Sequence, residues 1–216
     1  MPRPRLHDQA LRDRLVEVAS EVIAAAGPGA LTVRDVARRA GTSASAVYAL
    51  HGGREELVAA VADEAFRRFG THLGTATRTD DPASDLLSLG LAYRRSALTD
   101  PHFYRIMFDV PGTGGQDPRG PHATARPTFH VLRDAVVRVL RAQGAPTGDG
   151  TDRAGVEIAA ALWGQVHGMV TLELAGLLPG TAEQRADRYE RVLRTVGQAL
   201  LVAPRGDGLR PRRPPG

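Results

Sequence analysis

The stretch LTVRDVARRAGTSASAVYALHGGREELVAAV, residues 31–61, gathers hydroxyls at Thr32, Ser43, Ser45 and Tyr48 and guanidinium groups at Arg34 and Arg54. Such groups donate hydrogen bonds to anionic oxygens, and arginine also binds planar acceptor pairs through two parallel bonds. Proton-transfer chemistry would need a histidine facing a carboxylate. His167 and Glu173 lie six residues apart, a spacing that does not bring side chains together on a helix, and Asp100 with His102 is the other candidate pair. No nucleophile elbow, phosphate-binding loop, dinucleotide fingerprint or metal-ligand spacing occurs, so neither an enzyme nor a metal or cofactor is expected.

The hydroxyls and guanidiniums are placed by two short helices. Thr32 with Asp35 forms an N-terminal cap for a helix from about Val33 to Ala40. Gly41 can take the left-handed conformation that ends it, and Ser43 can cap a second helix from about Ala44 to Leu50. Val36, Ala40, Val47 and Leu50 fall where two crossed helices bury a shared face, with Ala37 small at their closest approach. Two short helices joined by a glycine-containing turn describe a helix-turn-helix.

The rest of the chain reads as helical too. Alternating strand patterns are missing, Gly/Pro clusters separate apolar runs of helical period, and an all-α fold of about nine helices is expected. Leu11, Leu15, Val18, Val22 and Ile23 mark the first helix, and a fourth begins near Arg54. Asp81-Pro82, Asp100-Pro101 and Pro127 open three more, the eighth runs from about Asp152 to Leu177, and Thr181-x-x-Gln184 caps the ninth. The eighth is apolar almost all round and is expected to be buried. Three units are anticipated: residues 1–53, residues 54–203 and a disordered basic tail, 204–216. Residues 111–126 read as a Gly/Pro-rich loop, lid or linker.

All 28 basic residues are arginine, against 24 acids, for a formal charge of +4. Four of the arginines sit in the tail, so charge alone argues little for a polyanionic partner. There is no cysteine, the N-terminal stretch lacks a signal-peptide apolar run, and the most apolar segment is interrupted by Gln165, His167 and Glu173. A cytoplasmic protein without a membrane span is expected.

The segment Thr32-Val33-Arg34-Asp35-Val36-Ala37, Gly41-x-Ser43, Val47-Tyr48 and Arg54-Glu55-Glu56-Leu57 resembles the N-terminal DNA-binding domain of the TetR family of transcriptional regulators. AYRRSALTDPHFYRIMF (92–108) and ALWGQVHGMVTLELAG (161–176) resemble one C-terminal ligand-binding type of that family, with a Trp…His-Gly signature. The resemblance implies a regulator, a repressor by the family's usual mode, that binds double-stranded operator DNA as a homodimer and leaves it on binding a small molecule. A non-specific nucleoid-type DNA binder is the alternative, disfavoured by the neutral C-terminal part.

By the same resemblance the 44–50 helix enters the major groove, presenting Ser43, Ala44, Ser45, Ala46, Tyr48, Ala49 and His51. Tyr48 and Thr32 would hold phosphates, Arg34 would reach a guanine edge, and Arg54 stands where the family has a phosphate-binding lysine. His51 replaces a common phenylalanine. Arg3 and Arg5 would add a minor-groove arm or remain a disordered tail. Candidate effector-cavity residues are Tyr93, Phe103, Met107, Phe108, Phe129, Trp163, His167 and Val170; each reads equally well as core. Ala160, Gly164, Gly168, Thr171 and Ala175 make a small-residue stripe. With Tyr189, Val192 and Val196 it is expected to form a two-fold dimer interface.

Overall fold

A computed structural model describes residues 5–109 and 127–201. Arg3, the 111–126 loop and the 204–216 tail, with the expectations placed on them, lie outside the described residues. Those that are described form α1 (Arg5–Ala26), a single 3-10 turn (Pro28–Ala30), α2 (Val33–Ala40), α3 (Ala44–His51), α4 (Arg54–Leu73), α5 (Pro82–Thr99), α6 (Pro101–Asp109), α7 (Pro127–Ala142), α8 (Asp149–Leu174) and α9 (Ala182–Leu201). The architecture is all-α, with a helix-turn-helix at α2–α3.

Local chemistry sets the helix ends. Thr32 Oγ1 accepts from the Asp35 amide and Ser43 Oγ from the Ala46 amide, both at 3.2 Å. Gly41 has φ 70° and closes α2, where the Thr42 amide donates to the Ala37 carbonyl at 2.9 Å. Asp81 accepts from the amides of Ala83 and Ser84 to start α5. Thr181 and Gln184 bond each other's amides reciprocally ahead of α9. The end of α8 falls at Leu174 rather than Leu177, because Gly176 turns left-handed at φ 71° and the Leu177 amide folds back onto the Leu172 carbonyl at 3.0 Å.

One apolar core joins the N-terminal helices to the rest. Leu15, Val36, Val47 and Leu57 belong to the same buried cluster as Phe69, Tyr93, Met107, Val170 and Tyr189. A smaller cluster of Leu86, Phe129, Val136, Leu162 and Leu201 lies where α7 packs on α8. Gly155 permits that packing: a Cβ there would sit 2.5 Å from Val137 Cγ2. At the junction of α1, α4 and α6, the Arg68 guanidinium meets Glu17 and Glu64 at 2.7 Å each and lies 4.1 Å above the Phe103 ring. No helix among the described residues is long and apolar enough to cross a membrane.

Candidate functional site

The two caps fix the exposed end of the helix-turn-helix. Val36, Ala37, Ala40 and Val47 are buried between α2, α3 and the helices around them, which turns Arg34, Ser45, Tyr48 and Ala49 outward. Tyr48 is 56% exposed on the outer side of α3. Thr32 and Ser43 are exposed but their hydroxyls already accept amide hydrogen bonds, so each still has its own O–H to donate. Ala44 and Ala46 are half-buried.

Two residues expected on this face are otherwise engaged. Arg54 turns back to the loop before α2, donating from Nε to the Leu31 carbonyl at 3.0 Å and from Nη2 to the Pro28 carbonyl at 2.6 Å. It fastens the start of α4 to the helix-turn-helix. His51 is half-buried, and its Nε2 is enclosed without a hydrogen-bond partner. Burial holds the imidazole below the usual histidine value of 6.5; the Arg12 backbone opposes this and the Arg12 charge adds to it. Because the folded state resists protonation more than the unfolded chain, the neutral ring's contribution is complete above about pH 6.5 and is lost as pH falls through the lower folded value. Replacing His51 with Phe removes the orphaned nitrogen and is expected to raise stability by roughly 1 kcal/mol. In thermal melts between pH 5 and 8, the gap between the two proteins should widen toward acid.

A cavity of about 410 Å³ lies between α4, α5, α7, α8 and α9, with Phe108 of α6 on its wall. Of the expected residues, Tyr93, Phe108, Phe129 and Trp163 line it. Phe103, Met107 and Val170 do not: they are buried in the core, Phe103 beneath Arg68. His167 stands behind the wall. Its Nδ1 lies 2.8 Å from the Tyr104 hydroxyl and 3.3 Å from that of Tyr93, and the two hydroxyls are 3.1 Å apart. Burial, with Tyr104 beside it, pushes the Tyr93 phenol well above its ordinary value, so it stays protonated. Tyr104 was not expected here. It differs from Phe103 by one position, about 100° of helix rotation, which apolar spacing alone does not resolve.

His167 and Glu173 make no catalytic couple. Glu173 is held by Arg94 at 2.6 and 2.7 Å and by Arg185 at 3.2 Å. Among the described residues no cluster of three or more His, Asp or Glu side chains could hold a metal ion.

The outer face of α8 is open rather than buried. Ala160, Gly164, Thr171 and Ala175 are exposed and Gly168 half-exposed, and a Cβ on either glycine would meet nothing within 4 Å. Leu172 on the same helix is 44% exposed. Val192 and Val196 of α9 are half-buried. Tyr189 is corrected: at 1% exposure, with its hydroxyl donating to the Gly90 carbonyl at 2.9 Å, it belongs to the protomer's interior and offers a partner nothing.

The chain matches two family profiles, "Bacterial regulatory proteins, tetR family" over residues 15–61 and "Tetracyclin repressor-like, C-terminal domain" over residues 86–196. It resembles a TetR-like transcriptional regulator from Rhodococcus sp. RHA1 (16% identity, TM-score 0.67, covering 94% of this chain and 100% of that one). It also resembles the TetR family regulator PfmR from Thermus thermophilus (21% identity, TM-score 0.60, 88% and 97%). A third is a TetR variant from Acinetobacter baumannii AYE in complex with minocycline (19% identity, TM-score 0.55, 86% and 93%). No curated protein matches significantly. The helix-turn-helix, the helical domain behind it and the two profiles, one of which spans more than half of the 216 residues, agree: the chain belongs to the TetR family and is a DNA-binding transcriptional regulator.

Proposed function

We propose that this regulator is a repressor that binds a palindromic operator as a homodimer and leaves it when a small molecule fills the cavity. The observation that carries the reading is α4. Its first turn is tied to the helix-turn-helix through Arg54 and the fully buried Leu57, while Phe66, Phe69 and Leu73, toward its other end, line the cavity. A ligand that displaces those three side chains acts on the same rigid helix that sets where α3 stands. The minocycline complex of the Acinetobacter relative supports a small-molecule effector. The open small-residue face of α8, with Val192 and Val196 beside it, supports a two-fold interface, since small residues let a partner helix approach closely. Residues 1–53 would then serve DNA and residues 54–203 the effector and the partner, in the cytoplasm of a bacterium.

On DNA, Thr32, Ser43 and Tyr48 supply phosphate contacts, Arg34 and Ser45 reach base edges, and Ala46 and Ala49 meet thymine methyls. So few base-reading groups leave much of the specificity to DNA shape. Genome-wide recovery of bound fragments identifies the operator, and titrations on it test the roles. Arg34→Ala should cost about 1–3 kcal/mol on the operator and less on random DNA. Tyr48→Phe should weaken both alike. Equal losses from Arg34→Ala on the two DNAs would remove its base-reading role, and equal affinity of the unaltered protein for both would favour non-specific binding.

A further inference from the structure

Two struts carry the helix-turn-helix on the rest of the chain. One is α4, through Arg54 and Leu57. The other is α1: α2 packs on it, α3 packs on both it and α4, and α1 itself packs against α6. Apolar contact joins these helices into one core, but such contact is non-directional and lets packed helices slide. Directional bonding is what fixes their register.

Arg68 supplies that bonding. Its Nη2 donates to Glu17 Oε2 of α1 and its Nε to Glu64 Oε1 of α4, both at 2.7 Å. Its Nη1 lies 3.7 Å from Oδ1 of Asp100, the residue between α5 and α6, and its guanidinium carbon stands 4.1 Å from the centre of the Phe103 ring of α6. One planar group thus holds α1, α4 and the α5–α6 corner at once. Glu64 is itself oriented by two 2.6 Å bonds from Arg67. A fork of charge-assisted hydrogen bonds defines both position and angle. From Arg54 to Arg68 α4 runs roughly 21 Å at 1.5 Å per residue, so the joint stands well back from the helix-turn-helix, at the root of its two struts. Neither Glu17 nor Arg68 is among the described residues that line the cavity.

We propose that this joint determines which operator spacing the regulator accepts. By holding α1 in register with α4 and the α5–α6 corner, Arg68 fixes the orientation of each DNA-binding unit on the body of the dimer, and with it the distance between the two α3 helices. The inference rests on the reading of a homodimer on a palindromic operator. Half-sites lie one helical turn, about 34–36 Å, or a multiple of it apart, and one base pair more or less moves them by about 3.4 Å. A loosened joint tolerates that displacement. It also binds the correct spacing less tightly, because the competent arrangement is only part of the population.

The full chain and its Glu17→Gln variant, which loses the α1 arm alone, are titrated on the operator, on a single half-site, and on operators with one base pair inserted or deleted between the half-sites. Glu17 is 49% exposed, so the melting temperature should shift by less than about 4 °C. In the variant the preference for the unaltered spacing should fall at least about threefold, with half-site affinity within about twofold. Asp134→Asn, which breaks an exposed ion pair on α7, should leave the preference unchanged. An undiminished preference in Glu17→Gln overturns the proposal, as does an equal fall in Asp134→Asn or a half-site loss that accounts for the whole effect. If the unaltered protein binds the operator no more tightly than the half-site, the two-site reading falls first and takes the proposal with it.

Discussion

Replacing Glu173 with alanine is expected to destabilise the protein by about 3 kcal/mol, the lower end of the range for breaking a buried ion pair. The Glu173 side chain is only 6% exposed and receives two bonds from Arg94 and one from Arg185. It thereby joins α8 to α5 and to the start of α9. Without it, Arg94, 16% exposed and 5.7 Å from the Tyr189 ring, keeps a charge that no other acid among the described residues pairs with. The lower end applies because both arginines have some access to water. For a chain of this size the melting temperature should fall by roughly 6–12 °C. Adding Arg94→Met should recover much of the loss, since the second change removes the stranded charge; a strictly additive double variant would show that the pair contributes nothing as a pair. The same carboxylate gives a pH signature. Arg94's hydrogen bonds hold its pKa below the usual 4.5, so its stabilisation is present above that value and disappears as pH falls through the folded one. Glu173→Gln should flatten the acid limb of the stability curve, read by denaturant titrations between pH 3 and 7.

The helix ends and the helix-turn-helix were more legible from sequence than the cavity, and the reason is range. The caps at Thr32, Ser43 and Thr181, the left-handed Gly41 and the shared face of Val36 and Val47 are decided within a few residues, where residue type and spacing carry the information. The cavity is a gap among five helices far apart in sequence, so a residue's membership depends on crossing angles that no local pattern encodes. Phe66 and Leu132 share the apolar spacing of ordinary core residues yet line the space, whereas Phe103 and Met107 are core. The resemblance puts Arg54 and His51 on the DNA face, yet the Pro28 and Leu31 carbonyls hold Arg54 and an enclosed site at the end of α3 takes the His51 ring, contacts that no local pattern encodes. The open face of α8 shows the converse: an all-apolar helix signals burial, and the sequence is silent on whether its own protomer or a partner supplies the cover.

Phe69→Ala is expected to cost about 3 kcal/mol, near the bottom of the range for truncating a buried phenylalanine. The ring is 5% exposed and meets Tyr93 edge-on, with centroids 5.2 Å apart and planes at 90°, a pairing that contributes beyond the area buried. The bottom of the range follows because one side of the ring borders the cavity, where fewer atoms touch it than in the close-packed interior. Phe66, half-buried on the same wall, should cost less when truncated, and a greater loss there than at Phe69 would contradict this account. The consequence for regulation is separable from stability. Phe69 shares α4 with Leu57, which packs in one core with Val36 and Val47, and with Arg54, which is bonded to the turn before α2, so an occupant pressing on Phe69 acts on a helix whose other end is held at the helix-turn-helix. At a temperature where the variant is folded, operator affinity should stay within about twofold, a free-energy change of under about 0.5 kcal/mol. Release of DNA by an effector should nevertheless weaken, because the enlarged cavity accommodates the molecule without displacing the helix. Operator binding measured with and without effector, in both proteins, separates the outcomes: a variant that loses DNA affinity outright would place Phe69 in holding the DNA-binding conformation rather than in transmitting the signal.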